Sequence, residues 1–136
     1  MNVTLRHRPV RPLVAAVALL AIWLSASLAA AGPAPAALEL VMFESAACPY
    51  CRQWHEEIGG IYAKTPEGRA APLRRVDIHA TAPAGLAELQ REVVYTPTFV
   101  LRAGDRVIGR IQGYPGEHFF WPLLQNLLAE AGAEAR

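Results

Sequence analysis

The hydrophobic period changes several times along the chain, and each change marks an element. Residues 38–43 are apolar on both faces apart from Glu39, the pattern of a central strand covered on both sides. From Pro49 to about Ala63 the spacing lengthens to three and four, with Cys51, Trp54, Ile58 and Ile61/Tyr62 in one stripe, which predicts a helix. Gly59-Gly60 predicts a bend or early fraying in its second half. Thr65-Pro66-Glu67 reads as a capping residue with proline at the first helical position, opening a short turn that ends before Ala71-Pro72. Residues 73–78 form a second strand with Leu73, Val76 and Ile78 as its apolar content, and a strand, helix-bearing crossover and strand in that order predict a parallel pair.

Thr81 and Pro83 open a helix over about residues 84–92, with Leu86 and Leu89 facing inward. The β-rich run from Val93 to Leu101 contains Pro97, which an ordinary central strand does not accommodate. The conflict is resolved if Pro97 begins the strand and the Thr96-Pro97 bond is cis. Ala103-Gly104-Asp105 predicts a hairpin turn and residues 106–111 the returning strand. A final helix is expected over about residues 116–131, carrying Phe119, Phe120, Leu123, Leu124, Leu127 and Leu128. Pro122 sits badly inside it, so either the helix kinks there or its regular part begins at Trp121. The fold class is α/β: a four-stranded mixed sheet flanked by helices.

The chemistry is concentrated where the first strand meets the first helix. The chain has two cysteines, both in Cys48-Pro49-Tyr50-Cys51. A thiol at the first turn of a helix faces unpaired N–H groups and the positive end of the helix dipole, which favour thiolate. Cys48 is therefore the expected accessible attacker. Cys51, three residues on, is the resolving thiol, placed to close a disulfide with little backbone movement. Pro49 suits the first helical position, and Tyr50, held between the cysteines, is expected to be exposed. A stapling role is poorly served, because a bridge across two residues closes too small a loop to restrict the unfolded chain. Cys48, Cys51 and His55 could together hold copper, which keeps a metallochaperone as the alternative, although no second pair completes a zinc site. Covalent haem attachment is excluded, since Arg52 stands where histidine is required. The redox reading needs no cofactor and no resident metal.

Composition adds the compartment. The 136 residues suffice for one domain, and the 53% hydrophobic fraction is inflated by the N-terminus. There Arg6, Arg8 and Arg11 precede an uncharged run over residues 13–31, and Ala29-Ala30-Ala31 before Gly32 fits a cleavage site. Residues 1–31 read as a signal peptide, with an uncleaved membrane anchor as the alternative. Residues 32–37 follow as a linker, residues 38–131 as the folded domain and residues 132–136 as a tail. Without the three leader arginines, acids outnumber Lys and Arg by two, and no basic patch suggests nucleic acid.

The element order, Cys-x-x-Cys helix and Thr-Pro strand resemble a thioredoxin fold from Leu38 to Ala131. That resemblance implies that Pro97 is a cis-proline facing the disulfide and that Thr96 presents its backbone to a substrate peptide. Pro49, Tyr50, Thr96 and Pro97 are then the candidate substrate-binding residues. Met42-Phe43-Glu44, Cys48-Pro49-Tyr50-Cys51, Trp54, Glu57-Ile58-Gly59, residues 64–68, residues 72–77, Gly113-Tyr114 and Phe119-Phe120-Trp121 are similar to the SoxS proteins of bacterial sulfur-oxidation operons. The likeness implies a periplasmic reductant acting on a disulfide or modified cysteine of a partner protein. That partner would be the SoxYZ sulfur carrier, and a membrane thiol transporter would supply the electrons. Met42 departs from ordinary thioredoxins, which carry a buried aspartate there. Glu44 is then the nearest candidate base, with an exposed surface glutamate as the plainer alternative.

Overall fold

A computed structural model describes residues 36–134, so the leader and most of the linker fall outside the described residues. Four strands form one mixed sheet in the order β2-β1-β3-β4: β1 Leu38–Glu44, β2 Leu73–Asp77, β3 Thr98–Ala103 and β4 Arg106–Gln112. β1 pairs parallel with β2, matching Leu40 to Leu73 and Phe43 to Val76. It pairs antiparallel with β3, matching Val41 to Val100, and β3 pairs antiparallel with β4.

The two-residue period of β1 divides the core, since neighbouring side chains point to opposite faces. Leu40 and Met42 join a cluster with Cys51, Trp54, Tyr62, Phe99 and Phe120, whereas Val41 and Phe43 join Val76, Leu86 and Val100. No residue from Leu40 to Phe43 is exposed, as the doubly apolar run predicts for a central strand. Among the described residues no helix is long and apolar enough to cross a membrane.

The helix after β1 has Cys48 as its cap. It is α-helical over Pro49–Trp54 (α1) and continues as a π-helical turn over His55–Gly59. Helical bonding stops at Gly60, where the glycine pair predicted a bend, and a 3-10 turn follows over Tyr62–Lys64. Thr65 caps the short α2, Pro66–Ala70: its Oγ1 accepts from the Gly68 N–H at 3.0 Å and donates to the Tyr62 carbonyl at 2.8 Å. This packing leaves no room at Gly68, where an added Cβ would lie 1.9 Å from the Tyr62 carbonyl oxygen. Gly68→Ala must therefore displace backbone, and a loss of about 1–3 kcal/mol is expected. In a thermal melt that corresponds to a fall in Tm of several degrees. An unchanged Tm would show that the turn is not built this tightly.

The third helix, α3, starts later than its apolar spacing suggests, covering only Ala87–Arg91. Gly85 at φ +77° is left-handed and cannot belong to a right-handed helix, so Leu86 becomes the cap and is still fully buried. The Thr96-Pro97 bond is cis, and the regular strand begins one residue after the proline. Gly104 at φ +59° turns the hairpin between β3 and β4. The last helix, α4, runs from Glu117 to Glu134 with Pro122 inside it, so its regular part starts before Trp121. It buries Phe120, Leu124 and Ala131, at spacings of four and seven, and leaves Phe119 and Leu123 exposed.

Candidate active site

The end of β1, the start of α1 and the turn before β3 meet at the cysteine pair. Cys48 and Cys51 are joined in a disulfide, with Cα atoms 5.3 Å apart. Cys48 has extended φ/ψ at the cap position, so its sulfur turns back over the first helical turn and accepts the Cys51 N–H at 3.0 Å. That donor is one of the unpaired N–H groups at a helix start, and it would stabilise negative charge on Sγ once the disulfide opens. Pro49 takes the first helical position, as its fixed φ suits.

Across from the pair, the Thr96 carbonyl oxygen lies 3.2 Å from the Cys48 sulfur, next to the cis bond of Pro97. The turn is braced from within by Thr98, whose hydroxyl donates to the Tyr95 carbonyl at 2.7 Å. Cys48, Pro49, Thr96 and Pro97 therefore come together, although they are separated by half the domain in sequence. Cys48 itself is less open than expected: in the disulfide state it is 5% exposed and Cys51 2%. Its neighbours Ala47, Pro49 and Tyr50 are exposed, so the opening is small and lies at the surface.

Between the cysteines and in the residues just before Thr96, large apolar side chains are exposed. Tyr50 is 58% exposed, as its place between the cysteines predicts, and Val94 and Tyr95 are 74% and 65% exposed. The β-rich run that holds Val94 and Tyr95 gave no sign of this exposure; both precede the start of β3 at Thr98. A groove of about 310 Å³ runs beside Tyr50, between it and the segment Gln112 to Pro115. In that segment Tyr114 donates to Glu57 on the first helix. Burial, reinforced by the Glu57 carboxylate, pushes the Tyr114 phenol well above its usual value. The same bond, with Gln53 as a second donor, holds Glu57 below the usual carboxylate range.

Glu44 is not the exposed surface residue that was one of its two readings. Its side chain is 13% exposed, and its carboxylate takes Arg75 Nε at 2.6 Å and His55 Nε2 at 2.5 Å. This engagement also bears on copper: His55 Nε2 is committed to Glu44 rather than free for the sulfurs. Among the described residues no group of three or more His, Cys, Asp or Glu side chains is placed to hold a metal. Trp54 is fully buried, which fits a core residue rather than a substrate contact.

Comparison with known proteins agrees with this geometry. A family model for the thioredoxin-like domain matches residues 27–128. The periplasmic thioredoxin SoxS from Paracoccus pantotrophus, in its reduced form, is 51% identical at a TM-score of 0.63, over 69% of this chain and 98% of that one. A thioredoxin from Thermus thermophilus is 27% identical at 0.55, over 73% and 79%. One from Fasciola hepatica shares the fold at 20% identity and a TM-score of 0.53, over 81% and 92%. Curated protein sequences gave no match. A Cys-x-x-Cys pair at a helix start on this fold is the apparatus of a thiol–disulfide oxidoreductase, and the chain belongs to the thioredoxin-like family, similar within it to SoxS.

Proposed function

We infer that the chain is a periplasmic reductant that keeps the cysteine of a sulfur-carrier protein of the SoxYZ type in its active form. The observation that carries the reaction is the Thr96 carbonyl beside cis-Pro97, 3.2 Å from the Cys48 sulfur. A partner strand laid along that backbone would bring its own sulfur onto Cys48. The Cys48 thiolate attacks the partner's disulfide or modified cysteine, forming a mixed disulfide and releasing the first leaving group. Cys51 then attacks Cys48, the partner departs reduced, and the Cys48–Cys51 disulfide remains. Pro49 and Tyr50 line the approach from the helix side, Thr96 and Pro97 from the other.

The choice of reductant over oxidase or isomerase rests on the similarity to SoxS, since the same two sulfurs can run either way. A reductant in an oxidising compartment needs electrons brought through the membrane, which a membrane thiol transporter would supply. The test is capture: Cys51→Ser should hold the partner as a mixed disulfide in periplasmic extract of a sulfur-oxidising bacterium. Mass spectrometry after thiol elution should then find a sulfur-carrier subunit dominant. A broad set of unrelated proteins would instead identify a general reductase or isomerase. Redox titration adds the direction: a potential near −270 mV, about that of thioredoxin, supports reduction, and one near about −120 mV makes the chain an oxidase.

A further inference from the structure

The short segment from Gly113 to Gly116 joins β4 to α4 and forms one wall of the groove of about 310 Å³ whose other wall is Tyr50. Both glycines sit at positive φ, +80° and +95°, where a side chain would be strained, so the chain turns sharply at each end. At one end the Gly113 N–H donates to the carbonyl of cis-Pro97 at 2.7 Å. At the other the Gly116 carbonyl accepts the Phe119 and Phe120 N–H groups at the start of α4. Between these ends Pro115 has no N–H to offer, and Tyr114 ties the segment down with its side chain. Its ring lies 6.0 Å from that of Phe120, edge to face, and its hydroxyl donates to Glu57. Glu57 belongs to the π-helical turn that continues the first helix, so it rides on the same helix as Tyr50. Its second oxygen takes Gln53 Nε2 at 2.9 Å from one turn back, which fixes the direction of the carboxylate. Glu57 is exposed and water competes for it, so the bond contributes little to folding; what it does is fix a position.

We propose that Tyr114 and Glu57 form a latch that sets the width of the groove beside Tyr50 and so positions the partner segment next to the sulfur that Cys48 attacks. The inference rests on the reading above that a partner lies along the Thr96-Pro97 backbone. Both walls of the groove are referred to one rigid element: Tyr50 is part of the first helix, and the facing segment is bound to that helix through Glu57. The bond at Gly113 brings the cis-proline turn into the same frame, since its acceptor is Pro97 itself. A partner therefore meets a groove already at its working width, and the segment has less freedom left to lose on binding. Without the latch the segment swings about its two glycines, the groove has the right width for only a fraction of the time, and the apparent affinity falls by that fraction. Cys48 is held by the Cys51 N–H and faces the Thr96 carbonyl, so its reactivity does not pass through the latch. Tyr114 and Glu57 are thus positioning residues and not catalytic ones.

Tyr114→Phe keeps the ring in the groove wall and removes only the hydroxyl. In insulin reduction by the full chain, recycled with dithiothreitol, KM should rise roughly threefold to tenfold, the range of one hydrogen bond, while kcat holds. Alkylation of reduced Cys48 by iodoacetamide, which needs no groove, should keep its rate. Glu57→Ala should raise KM by a similar factor, and the two substitutions together by no more than either alone, because both break the same bond. Glu57→Gln retains an acceptor oxygen for the Tyr114 hydroxyl, and Gln53 can turn its own amide oxygen toward the new N–H group, so KM should return toward that of the unsubstituted chain. An unchanged KM in Tyr114→Phe, effects that add in the double variant, a Glu57→Gln as impaired as Glu57→Ala, or an equal fall in the iodoacetamide rate overturns the proposal. Insulin and iodoacetamide report on the groove and on Cys48 whatever the natural partner is, so failure here leaves the reductant assignment standing, and failed capture of a sulfur carrier leaves the latch standing.

Discussion

Cys48→Ser is expected to bring insulin-disulfide reduction down to background, a loss of at least about a thousandfold, which is modest beside the losses known when a covalent nucleophile is removed. Cys51→Ser should also stop turnover, but by accumulating a mixed disulfide on Cys48. The two variants differ because the two sulfurs have different surroundings. Cys48 caps the helix, takes the Cys51 N–H at 3.0 Å and stands beside the exposed Ala47, Pro49 and Tyr50. Cys51 lies inside the first helical turn; both sulfurs belong to the core cluster that includes Trp54 and Met42, with Cys51 the more deeply buried. In the proposed reaction an incoming disulfide meets the first sulfur beside the Thr96 carbonyl, 3.2 Å from it. Non-reducing electrophoresis of each variant after exposure to oxidised insulin distinguishes them. An adduct on Cys48→Ser and none on Cys51→Ser would reverse the roles, and substantial turnover by Cys48→Ser would end the assignment.

Much of this arrangement is local in sequence, which is why it can be read there. The doubly apolar run of β1, the Cys-x-x-Cys turn, the Thr65 cap and the conflict at Pro97 each involve residues within a few positions of one another, and each has one physical resolution. Positions set by long-range packing are harder to read. Glu44 finds its partners 11 and 31 residues away, through the docking of the first helix and the parallel register of β2, and neither leaves a mark near Glu44. The spacing of Cys51 and His55 is the one local hint, since it puts both on the same helix face. The late start of α3 was legible in principle: Gly85 is where a left-handed residue is cheapest, but the apolar spacing of Leu86 and Leu89 argued for a longer helix. At Pro122, packing of Phe120 and Leu124 against the core outweighs the missing hydrogen bond, and the helix continues through it.

Trp54→Ala should be the most damaging change to stability away from the cysteines, costing about 3–5 kcal/mol. Trp54 is fully buried three residues beyond Cys51. Its ring centroid is 5.5 Å from that of Phe99, 5.9 Å from Phe120 and 6.0 Å from Tyr62, so one side chain joins the redox helix to β3, to α4 and to the turn before α2. Removing it opens a cavity bordered by ring faces held on separate backbones, which cannot collapse together. Against a total of about 5–15 kcal/mol for a domain, such a loss leaves a substantial fraction unfolded under mild denaturant. Trp54→Phe separates volume from polarity, because Trp54 Nε1 is buried without a hydrogen-bond partner among the described residues. Phenylalanine loses some ring volume but also removes that orphaned donor, a group whose burial costs about 1–3 kcal/mol, so its net cost should fall well below that of alanine. Urea titrations of the three proteins provide the comparison. Equal losses in Trp54→Phe and Trp54→Ala would mean that the N–H is satisfied after all, and a loss below about 1 kcal/mol in Trp54→Ala would mean that the redox helix is anchored elsewhere.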